Sequence, residues 1–261
     1  MTDPRRPGSR PRLDELLVSR GLASDLQRAG ALILAGAVVV GEARIDKSGT
    51  RVDPDVSVRI RGRGHDYVSR GGLKLLAALE TYELSVEGRV ALDLGASTGG
   101  FTDVLLRRGA RRVYAVDVGH DQLDHRLRTD ARVVSLEGTH ARTLSTVLIP
   151  EPIDVLVADV SFISLTVVLA PAIAFCAPDA VAVVLVKPQF EAKRHEVERG
   201  GLVHDPAVHA RVVDEVAVCL RASGFSPLPS LESPIRGAKG NREFLLVARR
   251  SLGEGSPVTG G

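Results

Sequence analysis

Hydrophobic positions recur in two rhythms along this chain, and the rhythm changes between residues 63 and 70. Before that point the patterns are short and helical. RLDELLVSRGL puts Leu13, Leu16 and Leu17 on one face and stops at Gly21. Ser24 opens a second helix carrying Leu26, Ala29, Leu32, Ile33 and Leu34, which ends at Gly36; AVVVG and RVDPDVSVRI then read as short strands. After that point apolar runs alternate with amphipathic stretches. The runs predict strands over 90–94, 112–117, 132–136, 153–159, 181–187 and 243–249. The amphipathic stretches predict helices near 72–81, 100–108, 121–128, 165–175 and 206–222. Strand and helix in strict alternation predict an α/β fold with a mainly parallel sheet flanked by helices.

The organisation that follows is a small α+β domain over 12–62, a linker over 63–70 (RGRGHD at its centre) and a large α/β domain over 71–250. The ends 1–11 and 251–261 are expected to be disordered, and the polar segment 190–204 is expected to be a mobile loop. Residues 165–186 are nearly all apolar and long enough to span a bilayer, but Pro171, Pro178 and Asp179 interrupt them. With Pro178-Asp179 as a turn, a buried helix followed by a buried strand fits better.

Composition sharpens this picture in three places. With 44% hydrophobic but only 3% aromatic residues and no Trp, the core must be built from Val, Leu, Ala and Ile. The net charge of +2 is unevenly spread: residues 1–64 carry 12 Lys/Arg against 8 Asp/Glu, the rest 22 against 24. The positive end points to an anionic partner. Cys176 and Cys219 lie in apolar surroundings and read as core residues, not a disulfide. No secretion signal is visible, so the chain is expected to be cytoplasmic and without a membrane anchor; a monomer is also expected. HDQLDH, the nearest approach to a metal-binding pattern, puts two His five apart, which does not align them on a helix; no metal is expected.

The densest chemical signal is ALDLGASTGGFTDVLL, residues 91–106: a strand, a glycine-rich turn and a helix start in succession. Gly95, Gly99 and Gly100 allow tight turning and close backbone approach to a ligand. The spacing is neither the dinucleotide GxGxxG nor a phosphate loop. With Asp93 at its mouth, the turn suits a nucleoside carrying an amino-acid end, and S-adenosylmethionine is the candidate. Asp117 ends the next strand, 24 positions after Asp93, close to the interval of about 20 expected for a carboxylate that accepts ribose hydroxyls.

Other charges fall at the same edge of the predicted sheet. Asp159 ends the fourth strand and Lys187 the fifth; a Lys closing a run as apolar as AVAVVLV needs a partner or a cavity. Lys74 lies on the helix before the first strand, and Glu243 opens the last. Singly, each fits an ordinary solvated residue. Together, two lysines and two acids around one crevice can deprotonate a ribose hydroxyl: a Lys held neutral acts as base, and its neighbours orient it.

These motifs resemble the TlyA family, often labelled haemolysin A, of ribosomal RNA 2′-O-methyltransferases. The resemblance runs through DYVSRGGLKL, LDLGASTGGFTDVLL, VYAVDVG, DVLVADVSFISL, VKPQFE, GGLVHD and GNREFL in that order. It implies a Rossmann-like, FtsJ-like methyltransferase domain using S-adenosylmethionine. It further implies a catalytic set of Lys74, Asp159, Lys187 and Glu243, with Lys187 as base on the 2′-hydroxyl. The cofactor residues it implies are Asp93, Gly95, Ala96, Ser97, Thr98, Gly99, Gly100 and Phe101, together with Asp117, Val118 and Asp159. The N-terminal part resembles the RNA-binding domain of ribosomal protein S four, which implies that Arg12, Arg20, Arg28 and Lys47 contact ribosomal RNA in ribosomal subunits. The chain departs from these patterns at Asp25, where Arg is usual, and at Thr139-His140, where relatives more often carry Asn. The rival readings are a catalytically inactive scaffold that binds RNA and S-adenosylmethionine, a base methyltransferase, and a haemolysin. Keeping Lys187 and Glu243 disfavours the first, DVSF without proline the second, and the absence of an uninterrupted apolar span the third.

Overall fold

The computed structural model describes residues 10–23, 25–34, 37–41, 43–60 and 67–250. The expected terminal tails (bar residues 10 and 11), the Ser24 cap, the Gly36 stop, the 61–66 joint and the Arg28 side chain lie outside what is described. The chain divides into two compact units, residues 1–66 and 67–261.

In the first unit, α1 (Leu13–Ser19) and α2 (Leu26–Leu34) accompany a small antiparallel sheet of order β2-β1-β3. Its strands are β1 (Val38–Val40), β2 (Ala43–Arg44) and β3 (Val58–Ile60). Leu13, Leu16 and Leu17, spaced for one helical face, meet Ala29, Ile33 and Val38 in its core.

The second unit begins with α3 (Gly72–Thr81), β4 (Val90–Leu94), α4 (Gly100–Arg107), β5 (Arg112–Val116), α5 (His125–Arg128) and β6 (Val133–Leu136). It continues through β7 (Ile153–Ala158), α6 (Leu165–Ile173), β8 (Cys176–Val186), α7 (Pro188–Glu191) and α8 (Pro206–Ala222). The strands β9 (Phe225–Pro227), β10 (Leu231–Glu232) and β11 (Phe244–Arg250) complete it. Sheet order is β10-β11-β8-β7-β4-β5-β6, with β9 also pairing β11. The five strands from β8 to β6 run parallel, and β11 lies antiparallel to β8.

Both faces of this sheet are covered, so the central strands are apolar on both sides. Along β8 the alternation is strict: Ala182, Val184 and Val186 enter one core, and Val181, Val183 and Leu185 the other. In chain order β4 leads to β5 and β6 on one side, then the chain crosses back to β7 and β8 on the other. The carboxyl ends of β4 and β7 therefore flank the point where strand order reverses, the usual binding crevice of such sheets.

Three expectations need correction. Pro178-Asp179 is not a turn; it lies within β8, where the pairing register with β7 shifts between Ile153 and Val155. Proline has no N–H to give a regular ladder, so it sits where pairing is already irregular. Segment 190–204, expected to be a mobile loop, carries two short helical turns and is tied down. Val203 N–H donates to Asn241 Oδ1, and Asn241 Nδ2 donates to the Gly201 carbonyl. The helix expected over 121–128 shortens to α5, because the Asp124 carboxylate accepts the Arg126 N–H and caps it there.

Candidate active site

The turn after β4 is built by backbone shape before any side chain enters. Gly95 and Gly99 take φ of +78° and +94°, and Ser97 joins them at +47°. A Cβ on Gly95 would lie 2.6 Å from the Asp159 carbonyl oxygen, so only glycine lets the ends of β4 and β7 approach this closely. The N–H groups of Gly95 and Ala96 both donate to the Val116 carbonyl, and Ser97 N–H donates to Asp117 Oδ2 at 2.8 Å. Asp117 Oδ1 also accepts Gly119 N–H at 2.7 Å, so this carboxylate already braces the turn it faces.

Two cavities open at the carboxyl edge. The larger, about 360 Å³, is lined by Gly95, Ser97, Asp117, Val118, Gln122, Thr139, His140 and Asp159, with apolar walls from Leu94, Val116, Ile163 and Val168. The smaller, about 190 Å³, is lined by Ser69, Gly71, Gly95–Thr98, Gly100, Phe101, Asp159, Ser161 and Lys187. Gly95, Ser97, Asp159 and Ser161 belong to both. An adenosine fits the first by chemistry: apolar walls for the base and a carboxylate near the sugar. The amino-acid end fits the glycine turn of the second.

Two expected cofactor residues line neither cavity. Asp93 is not at the mouth of the turn. Strand alternation puts it on the same face as Ala91, beneath α4, where it is fully buried and accepts a hydrogen bond from Thr102 Oγ1 at 2.7 Å. Its other oxygen has no hydrogen-bond partner among the described residues, and burial pushes its pKa up to about 7. Gly99 serves the fold instead: a Cβ there would lie 2.2 Å from Leu127 Cδ1.

The two lysines and two acids do come together. Lys187, Lys74 and Glu243 are nearly buried, at 8%, 8% and 2% exposure. Lys74 Nζ donates to Glu243 Oε2 at 2.6 Å and lies 3.9 Å from Asp159 Oδ2. Lys187 Nζ forms an ion pair with Asp159 Oδ1 at 2.5 Å and donates a hydrogen bond to Ser161 Oγ at 2.9 Å. Asp159 thus stands between both lysines. The segment bearing Lys187 is held by Glu191, whose carboxylate accepts Leu165 N–H and the Ser164 hydroxyl at the start of α6. Burial raises the Glu191 pKa.

Sequence reasoning did not place Ser161 and Phe162 in the site, although they stand two and three residues after Asp159. Phe162 takes φ of +65°, is 91% exposed, and its ring lies 5.1 Å from that of Phe190. A bulky residue held at positive φ at a cavity rim was the available signal, but it is visible only in the backbone. Among the expected RNA contacts, Arg12 is clasped by Asp14 at 2.7 and 3.0 Å, and Arg20 donates to the Pro54 and Val56 carbonyls. Both guanidinium groups are therefore engaged within their own unit. Lys47 is exposed and forms no ion pair among the described residues. Also among the described residues, no cluster of His, Cys, Asp and Glu is arranged to hold a metal ion, and no helix is long and apolar enough to cross a membrane.

A glycine turn at the switch point of a seven-strand path, beside a nearly enclosed Lys-Asp-Lys-Glu chain, is an arrangement that fits a methyltransferase. The FtsJ-like methyltransferase family matches residues 67–250, and the chain belongs to it, with S-adenosylmethionine as its cofactor. Over 92% of its length the chain is 47% identical to the 16S/23S rRNA (cytidine-2′-O)-methyltransferase TlyA of Mycobacterium tuberculosis, covering 90% of that protein. It is 40% identical to Hemolysin A of Brachyspira hyodysenteriae, covering 90% of this chain and 98% of the other. The solved structure of a protein called a hemolysin, from Streptococcus thermophilus, superposes with a TM-score of 0.72 at 40% identity, over 93% of this chain and 89% of its own.

Proposed function

We propose that this protein methylates a ribose 2′-hydroxyl of ribosomal RNA, with Lys187 as the base. The observation that carries the reading is the position of Lys187: nearly buried, against Asp159, on the wall of the smaller cavity. When bound, S-adenosylmethionine supplies an electrophilic methyl carbon on a sulfonium. The turn from Gly95 to Phe101 would hold its amino-acid end, and Asp117, Val118 and the walls of the larger cavity its adenosine.

Lys187 would take the hydroxyl proton, making the ribose oxygen a nucleophile toward the methyl group that the bound cofactor would supply. Asp159 stabilises the ammonium that forms, and the Lys74–Glu243 pair holds Asp159 from its other side. Little other covalent work is required, because transfer of a methyl group depends mainly on alignment of oxygen, carbon and sulfur. Ribosomal RNA as substrate is supported by the TlyA relatives, whose names specify 16S and 23S rRNA. The first unit, with its exposed Lys47, would grip the RNA backbone.

The test is Lys187→Ala, assayed for methyl transfer to ribosomal subunits and for binding of S-adenosylhomocysteine. Transfer should fall at least about 100-fold, the usual contribution of a general base, with binding unchanged. Lost binding would make Lys187 a cofactor ligand, contradicting the mechanism.

A further inference from the structure

We infer that Ser161 is a positioning residue for methyl transfer, setting the direction in which Lys187 presents its lone pair to the substrate hydroxyl. The inference rests on the ribose-methylation reading above and goes beyond the four-residue set.

A lysine acting as base has one useful lone pair, and only its direction relative to the hydroxyl decides whether the proton can move. Asp159 does not fix that direction. Its contact with Lys187 is a close ion pair, not an aligned hydrogen bond, and its charge is divided between two lysines at 2.5 and 3.9 Å. Coulomb attraction between such charges varies little with angle. The aligned hydrogen bond of Lys187 Nζ among the described residues goes to Ser161 Oγ, at 2.9 Å. In the neutral amine that acts as base, one N–H committed to Ser161 and one side occupied by Asp159 leave the remaining tetrahedral position of Nζ, the lone pair, for substrate.

The location of Ser161 suits this task. It lies two residues after Asp159, on the loop from β7 to α6, and it lines both cavities. That loop is fastened to the Lys187 segment by Glu191, which accepts the Ser164 hydroxyl and Leu165 N–H. Base and director are therefore held on two segments clamped together. In the step itself the hydroxyl proton passes to Nζ and the oxygen–carbon bond forms, with the electron pair of the broken carbon–sulfur bond left on sulfur. Ser161 gives up and takes no proton.

The test compares Ser161→Ala, Ser161→Thr and Ser161→Cys in the full chain, with ribosomal subunits as substrate. Ser161→Ala should lower kcat about 10- to 100-fold, the scale of a misdirected reacting group. KM for the subunits and the dissociation constant of S-adenosylhomocysteine should both stay within roughly twofold, because binding is not what is lost. Ser161→Thr, which keeps the hydroxyl, should restore most of kcat, and Ser161→Cys, a weaker acceptor, should fall between. These two variants decide the matter if the alanine variant folds poorly. An alanine variant with wild-type kcat would overturn the inference while leaving the functional reading intact. Weakened S-adenosylhomocysteine binding at unchanged kcat would make Ser161 a cofactor ligand, which also overturns it. Wild-type protein that transfers no methyl group would refute both together.

Discussion

Replacing Gly95 by alanine tests how tightly the glycine turn is coupled to Asp159. Gly95 sits at φ +78°, where a side chain costs about 1–2 kcal/mol. The added Cβ would also lie 2.6 Å from the Asp159 carbonyl oxygen, and real Cβ contacts essentially never fall under 3.0 Å. The gap must therefore open by at least 0.4 Å (3.0 minus 2.6), and the obstructing atom is backbone, which cannot swing aside. Overpacking of this kind adds about 1–3 kcal/mol, giving about 2–5 kcal/mol in all. For a unit of this size that is a fall in Tm of roughly 5–15 °C. The displaced residue is Asp159, on which Lys187 and Lys74 both converge. If a misplacement of 1 Å costs about 100-fold, half of that costs about tenfold in kcat. Gly88→Ala is the control: it has φ +70° but nothing within 4 Å of its Cβ, so it carries the backbone cost alone. Thermal melts and kcat at saturating cofactor and RNA would be compared for both. If Gly95→Ala matched Gly88→Ala in both measurements, the close approach of the two strand ends would have no consequence and the reasoning would be refuted.

Three further outcomes are expected. The raised pKa of Asp93, about 7 against an ordinary 3.8, means that the native state keeps a proton which the unfolded chain releases over that interval. Stability contributed by this group is thus present below pH 4 and lost as pH rises to 7. Relative to Asp93→Asn, the wild type should lose about 3–4 kcal/mol across the window in urea melts, and parallel profiles would contradict the assignment. Lys47→Ala should weaken binding to ribosomal RNA and reduce the slope of log K against log salt by about 0.7–0.9, one phosphate contact; an unchanged slope would remove Lys47 from the interface. Arg20→Ala should destabilise the first unit through loss of its bonds to the Pro54 and Val56 carbonyls, with the salt slope unmoved. A reduced slope would return Arg20 to the RNA contacts.

Much of the sheet was legible because burial on both faces forces long apolar runs: β4, β5, β7 and the greater part of β8 follow directly from the pattern. Lys187 was legible for the same reason, since a charge at the end of so apolar a strand needs a partner. What escaped depends on geometry that residue type does not encode. The beginning of β8 was hidden by Pro178-Asp179, which reads as a turn locally but is tolerated at a register shift. Asp93 could have been assigned to the buried face from the period of two that it shares with Ala91; its place beside a glycine turn drew attention to the mouth instead. Arg20 is a cation in a basic segment, and only the folded chain brings the Pro54 and Val56 carbonyls to it. Ser161 is a common residue whose meaning comes from one hydrogen bond to Lys187.

The central claim is that a buried lysine, directed by its neighbours, removes a ribose proton during methyl transfer to ribosomal RNA. Its most direct test is transfer of isotopically labelled methyl from S-adenosylmethionine to purified ribosomal subunits, followed by digestion and nucleoside mass spectrometry. The account predicts a labelled 2′-O-methyl nucleoside that is absent with Lys187→Ala. A label found on a base, or a 2′-O-methyl nucleoside formed as readily by Lys187→Ala as by the wild type, would contradict it.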